Sequence, residues 1–219
     1  MIILRRHTSS RPQRKHKLRR LAGALLCVIV APVAAQTEPT PAPATTWHLL
    51  PEPAFMRPDF ATPIEKSKAT VLTPALIQGD DVRYLTKAEA GRLNVDLESV
   101  RRIALANASA ELAKLTPEYV RDSHGVALYA RLTAETPTVS SVVLAPDFAR
   151  TFADVLGPDL LVAIPNRYRI YVYPALASKF DQTADLVRRD YELSPYPVST
   201  EVFRITPNGL VAVGKFEEP

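Results

Sequence analysis

Three consecutive residues, Asp122, Ser123 and His124, have the side-chain types of a hydrolase triad. In known triads the acid, the nucleophile and the base come from distant positions and converge in the fold, because adjacent side chains seldom point into one site. The run is therefore interpreted first as a polar turn before a strand. An envelope hydrolase that uses these three residues is the alternative function.

A group of arginines and tyrosines is the stronger candidate for a functional surface. Residues 168–173 alternate as a strand does, with Tyr168, Ile170 and Val172 on one face. The opposite face carries arginine and tyrosine, which are frequent in binding hot spots because they combine apolar area with directional hydrogen bonds. We expect this face to point outward. The predicted binding residues are Asn166, Arg167, Arg169, Tyr171 and Tyr173.

Two structural explanations without a binding role also account for the same arginine and tyrosine face. It can be an ordinary solvated strand with cross-strand pairs, or its tyrosines can pack under the helix that follows. That helix is predicted to begin near Ser178, and a preceding helix is predicted to stop at Gly157. Between the two helices, the apolar run 160–164 and the strand 168–173 form a hairpin around Pro165 and Asn166.

Helix-capping residues and hydrophobic periodicity predict the remaining helices and strands. Thr86 and Glu89 have the spacing of a capping box, and Asn94 or Asp96 can cap a longer helix that ends near Leu115. Strands are predicted at 125–132 and 139–144, and residues 201–206 and 210–216 flank an Asn-Gly turn. The predicted fold class is α+β, with N-terminal helices followed by a mainly antiparallel sheet with two interspersed helices.

The first 35 residues read as a signal peptide. Eight basic residues and no acidic one precede or border an apolar run, and Ala34-Ala35 offers small residues for cleavage before Gln36. The apolar run is shorter than the roughly 20 residues of a membrane span, so no stable span is expected after cleavage. We expect an exported protein, periplasmic or extracellular. A signal kept as an anchor is the alternative.

Removing this segment changes the charge of the chain. The formal net charge of +4 becomes −4, because only 19 of the 27 basic residues remain against 23 acidic ones. A nucleic-acid partner is therefore not expected. Residues 36–70, which contain seven prolines up to residue 63, are interpreted as a largely disordered tether. Residues 71–219 are expected to form a single domain.

Metal and cofactor chemistry have little support in the sequence. The only cysteine, Cys27, lies within the signal peptide, and the rest of the chain has two histidines, His48 and His124, without spaced partners. Dinucleotide, Walker and nucleophile-elbow motifs do not occur. No cofactor and no metal are predicted.

An ordered set of short stretches resembles the YtpQ-like bacterial family, a domain of unknown function. The set comprises residues 93–96, 103–107, 160–167 and 196–199, together with Phe203. The resemblance covers residues 85–213 and implies a fold but no reaction. The chain departs from the family pattern at Tyr168, where an acidic residue is expected, and in its signal peptide. Independently of the resemblance, the export signal, the tether and the lack of catalytic motifs predict a non-enzymatic envelope module that binds a protein or peptide.

Overall fold

The described chain folds into two antiparallel sheets and four α-helices. A computed structural model describes residues 44–176 and 180–216. The first sheet contains β1 (Thr46–Pro53), β2 (Thr62–Pro63), β3 (Thr70–Gln78) and β4 (Asp81–Tyr84). The second contains β5 (Glu118–Arg121), β6 (Ala127–Thr133), β7 (Leu160–Asn166), β8 (Arg169–Pro174), β9 (Glu201–Thr206) and β10 (Gly209–Lys215). The α-helices are α1 (Lys87–Leu93), α2 (Leu97–Leu112), α3 (Phe148–Leu156) and α4 (Ala184–Glu192).

The six-stranded sheet has apolar layers on both faces. Its strand order is β10-β9-β7-β8-β6-β5, which places β7 and β8 at the centre. Phe148 and Phe152 of α3 belong to the core on one face, and Val187 of α4 belongs to the cluster on the other face. A central strand covered on both sides must be apolar throughout, which explains the continuous apolar run in β7. The α+β class with antiparallel sheets is confirmed.

The four-stranded sheet corrects the interpretation of residues 44–70 as part of a tether. Strand β1 pairs along its whole length with β3, and Leu50 is fully buried. Prolines cannot donate to a ladder, but β1 has only β3 as its neighbour in the sheet, so Pro51 and Pro53 are tolerated. On β3, Pro74 lies between the residues that pair with β2 and those that pair with β4. The proline content of this segment therefore reflects an edge strand.

The order of elements also differs from the prediction at its start, because four strands precede the first described α-helix. Residues 139–144, predicted as a strand, form a buried 3-10 helix instead. The backbone N–H of Ser140 donates to the carbonyl oxygen of Arg167 at 3.0 Å, which ties this turn to the hairpin. A short apolar run does not distinguish a strand from a buried helical turn by its pattern alone.

The helix caps and the last hairpin agree with the sequence. Thr86 and Glu89 form a capping box on α1, and the carboxylate of Asp96 accepts from the first turn of α2. Strands β9 and β10 form the predicted C-terminal hairpin. The signal peptide, the first part of the tether and the Ser178 cap lie outside the described residues. None of the helices in the described ranges is long and apolar enough to cross a membrane.

We expect Leu50→Ala to lower the free energy of unfolding by about 2–5 kcal/mol, because it leaves a cavity behind β1. Chemical denaturation followed by circular dichroism measures the change. Leu176→Ala is the matched control, since Leu176 is 96% exposed. If both variants unfold like the parent protein, β1 is not part of the folded domain.

Candidate functional site at the end of the central hairpin

Asn166 shapes the end of the β7–β8 hairpin. Its Nδ2 donates to the carbonyl oxygen of Asp190 at 2.9 Å, and its Oδ1 accepts from the backbone N–H of Tyr168 at 3.0 Å. The turn consists of residues 167 and 168, so it lies two residues beyond the predicted Pro165-Asn166 reversal. The carbonyl oxygen of Pro165 accepts from the N–H of Val198 at 2.8 Å. The buried amide of Asn166 therefore fixes the turn from within.

Arg167 crosses from the second sheet to the first. Its Nε lies 2.7 Å from Oε1 of Glu52 on β1, and both side chains are at least 90% buried. Its Nη2 donates to the hydroxyl of Tyr84 on β4. The guanidinium carbon lies 4.9 Å from the ring centroid of Tyr196 and 5.7 Å from that of Tyr84. The arginine is thus held by one carboxylate and two aromatic rings.

The charge state of Glu52 depends on this arginine. Burial raises the pKa of Glu52, whereas the hydrogen bond and the positive charge of Arg167 lower it. An isolated buried carboxylate would take up a proton instead of remaining charged. The net pKa of Glu52 lies above its ordinary value, and Arg167 limits that rise at the contact between the two sheets.

The outward orientation predicted for the arginine and tyrosine face is wrong. Tyr171 and Tyr173 are almost completely buried, and both pack in the cluster that contains Val187 of α4. The alternation along the strand is correct, but α4 covers the face that was expected to meet solvent. Burial raises the pKa of both tyrosines. This is the alternative in which the tyrosines pack under the following helix.

Asp190 of α4 fastens the helix to the strand. Its Oδ2 lies 2.7 Å from Nη1 of Arg169 and accepts a hydrogen bond from the Tyr171 hydroxyl. The Asp190 side chain is only 10% exposed. Its position facing β8 arises from the docking of α4.

A smaller surface remains accessible at the end of the hairpin. Tyr196 is 46% exposed and Leu193 is 78% exposed, and the Tyr168 ring lies 6.0 Å from the Tyr196 ring. A shallow depression of about 250 Å³ lies beside them and is lined by Asn166, Tyr168, Arg169, Asp190, Leu193 and Ser194. We call Tyr168, Leu193 and Tyr196 the hairpin face. Of the predicted binding residues, Asn166 and Arg169 border the depression, whereas Tyr171 and Tyr173 lie in the interior.

The residues of the hydrolase alternative lie on the turn between β5 and β6. The His124 side chain is 85% exposed, and its Nδ1 is 3.4 Å from the Ser123 hydroxyl oxygen and 3.9 Å from the Asp122 carboxylate. The other carboxylate oxygen of Asp122 accepts from two backbone N–H groups, those of His124 and Val126, at 2.9 Å. Such hydrogen bonds from backbone N–H groups to an aspartate side chain are typical of a polar turn. A histidine so exposed lacks the cleft that a hydrolase needs.

His48 belongs to the segment whose proline content predicted a tether, but it is buried on β1. Its Nδ1 lies 3.3 Å from the Ser141 hydroxyl and its Nε2 lies 3.1 Å from the Thr46 hydroxyl. Burial lowers the pKa of His48, which favours the neutral ring. The Ser141 hydroxyl donates to the Thr138 carbonyl, so its proton is used in a local structural hydrogen bond. Within the described part of the chain, no group of three metal-ligating side chains comes together.

Sequence reasoning missed Glu52 and Tyr84, which hold Arg167. Both lie on strands of the first sheet, which was not predicted. The one sequence signal was a lone glutamate between two prolines, Pro51-Glu52-Pro53, in an apolar stretch.

No protein-family model, curated protein or solved structure matches the chain. The resemblance to the YtpQ-like family therefore stays a prediction.

We expect Arg167→Met to lower the free energy of unfolding at neutral pH by about 3–5 kcal/mol, because it leaves the Glu52 carboxylate buried and unpaired. The folded-state pKa of Glu52 then rises further above its unfolded value of about 4.3. The Glu52 contribution to stability is thus greatest below that pH and is lost as pH rises through the folded pKa. Denaturation of the variant across pH 4–8 measures this trend.

The double variant Glu52→Gln plus Arg167→Met is the control, since it lacks the titrating carboxylate. Its stability should exceed that of Arg167→Met at pH 8, and the difference should shrink toward pH 4. A constant difference across this range contradicts the dependence of Glu52 on Arg167.

Proposed function

We propose that this chain is an exported, non-enzymatic module of the cell envelope that binds a partner protein through the hairpin face. The observation that carries the proposal is a cluster in which Tyr196 and Leu193 are exposed and Tyr168 is half-buried beside the Tyr196 ring. The Tyr196 ring lies against the guanidinium of the buried Arg167. Tyrosine is frequent in binding hot spots because its ring provides large area at low entropic cost. The predicted role of Arg167 and Arg169 is thereby reassigned from direct contact to support of this face.

Rigid support favours binding by the hairpin face. The Tyr196 ring stacks on a guanidinium that is itself fixed by Glu52, and Asn166 holds the turn beneath Tyr168. Side chains that are ordered before binding lose less entropy on association. The ion pair and the Asn166 amide therefore act as positioning groups for the aromatic rings.

The chemistry of the hairpin face favours an uncharged, apolar partner segment. Arg167 is paired with Glu52, and Arg169 is paired with Asp190, so neither arginine brings an unbalanced charge to the surface. The accessible side chains are aromatic and aliphatic. A partner segment with apolar side chains would bury this surface at the smallest desolvation cost. No specific observation favours the hydrolase alternative.

A photo-crosslinking amino acid placed at Tyr196 tests the proposal in cells that produce the full-length chain. We expect a discrete adduct with one envelope protein, measured by immunoblotting and mass spectrometry. The same group at Tyr119, on the outer strand β5, is the matched control and should give no such adduct. Leu193→Ser should reduce the Tyr196 adduct at unchanged protein level.

Three outcomes of the crosslinking experiment would contradict binding at the hairpin face. An adduct of equal yield from positions 119 and 196, or an adduct that Leu193→Ser leaves unchanged, contradicts binding at this face. Absence of any adduct from position 196 does so as well.

Export supplies a separate prediction. We expect the protein recovered from the envelope or medium to begin at Gln36, because the small residues before it suit signal cleavage. Intact-mass spectrometry of the recovered chain checks this. Recovery of the chain from the cytoplasm with residues 1–35 still attached contradicts export.

A further inference from the structure

A groove of about 740 Å³ lies beside the edge strand β10. Its walls are formed by residues 53, 55, 66, 68, 69, 198–201 and 212–215, together with Tyr191. Its volume falls within the range of roughly 300–1,000 Å³ that is typical of ligand clefts. The proposed function makes no use of this groove.

The groove carries an excess of positive charge. Three lysines line it, Lys66, Lys68 and Lys215, against a single acidic lining residue, Glu201. Lys66 lies 3.9 Å from Glu65, but both side chains are more than 60% exposed, so this pair contributes little. A cleft lined mainly by one sign of charge attracts ligands of the opposite sign.

The Glu201 carboxylate is hydrogen-bonded within the wall of the groove. Its carboxylate accepts from the hydroxyls of Ser67 and Thr70 at 2.6 and 2.8 Å, and from the backbone N–H of Lys68 at 2.8 Å. Burial raises the pKa of Glu201, but these hydrogen bonds lower it more, so that the net pKa is below the ordinary value. The carboxylate thereby fixes the segment that carries Lys66 and Lys68.

The loop conformation strengthens the case for a preformed groove. Lys66 has a φ of 60°, in the left-handed region that is unfavourable for residues with a Cβ. The next residue is held on both sides, because the Ser67 N–H donates to the Ile64 carbonyl while its hydroxyl bonds Glu201. Strained residues that their surroundings hold in place are concentrated at ligand-binding sites.

Apolar side chains are exposed along the same groove. Phe55 is 76% exposed and Val213 is 52% exposed, and both belong to its lining. A ligand that matches both features must combine negative charge with apolar groups. An acidic peptide segment that also carries aliphatic or aromatic residues has this chemistry.

We propose that the groove binds an acidic, apolar segment of a partner protein. Nucleic acid is disfavoured because its binding depends on neutralising many phosphates, whereas this groove presents three lysines beside exposed apolar side chains. An anionic membrane is disfavoured because its recognition uses clusters of about four to eight basic residues, whereas this groove presents three lysines. The groove thus provides a binding site in addition to the hairpin face.

The test uses a fluorescein-labelled peptide of alternating glutamate and leucine, with glutamine in place of glutamate as its neutral counterpart. Fluorescence anisotropy measures binding to the signal-free full chain. We expect the acidic peptide to bind at least about fivefold more tightly than the neutral one at low salt, with the difference shrinking as salt increases. The double variant Lys66→Gln plus Lys68→Gln should weaken binding of the acidic peptide about fivefold.

Matched variants separate this groove from general charge effects and from the hairpin face. Lys87→Gln plus Lys114→Gln removes the same charge elsewhere and should leave the dissociation constant within about twofold. Phe55→Ala should weaken binding, and Leu193→Ala on the hairpin face should not. Equal binding of the two peptides, equal effects of the two lysine pairs, or loss only with Leu193→Ala overturns the proposal.

Two further probes test the class of partner. The chain is offered vesicles with anionic headgroups and a single-stranded oligonucleotide. Binding of either probe that depends on Lys66 and Lys68, without binding of the acidic peptide, overturns the assignment to a protein segment.

Discussion

The buried ion pair between Glu52 and Arg167 is the interaction on which the arrangement of the two sheets depends. Glu52 lies on β1 of the first sheet, and Arg167 lies between β7 and β8 of the second. Two charges removed from water are tolerable only when they are paired and further hydrogen-bonded. Here the Tyr84 hydroxyl provides an additional bond, so a slip of either sheet would leave a buried charge unpaired.

The same constraint explains how a surface at the hairpin end can be both exposed and ordered. Arg167 contributes almost no surface, yet its guanidinium supports the ring of Tyr196 from below. Asp190 has an equivalent role on the other side of the hairpin, where it joins Arg169 and Tyr171 to α4. Arg167 thus orders the exposed ring of Tyr196, and Arg169 joins its strand to α4 through Asp190.

A second carboxylate, Glu201, organises the segment before β3 in a different way. Its partners are hydroxyls and backbone N–H groups, so it stabilises a loop conformation without needing a basic side chain. The lysines of that loop are therefore left facing the groove. Hydroxyls and backbone N–H groups thus satisfy Glu201 without the side chains of these lysines.

The local features of the fold followed from the sequence, whereas the burial of individual faces did not. The capping box of Thr86 and Glu89, the Asp96 cap and the β9–β10 hairpin depend on neighbouring residues, and all are confirmed. The alternation along β8 was also correct, since it follows from strand geometry. Whether the second face of β8 meets solvent or is covered depends on where α4 docks, and no pattern within the strand encodes this.

Proline content misled the interpretation of residues 44–70 for a related reason. A proline-rich linker and an edge strand can both contain prolines, because neither needs every backbone N–H as a hydrogen-bond donor. Only the pairing of β1 with β3 distinguishes the two, and it joins residues 17 to 31 positions apart. The sequence by itself determined the class of fold, the local caps and turns, and the strand periodicity. The tertiary structure decided the Glu52–Arg167 pair, the burial of Tyr171 and Tyr173, and the lysine groove, because each depends on contacts between distant segments.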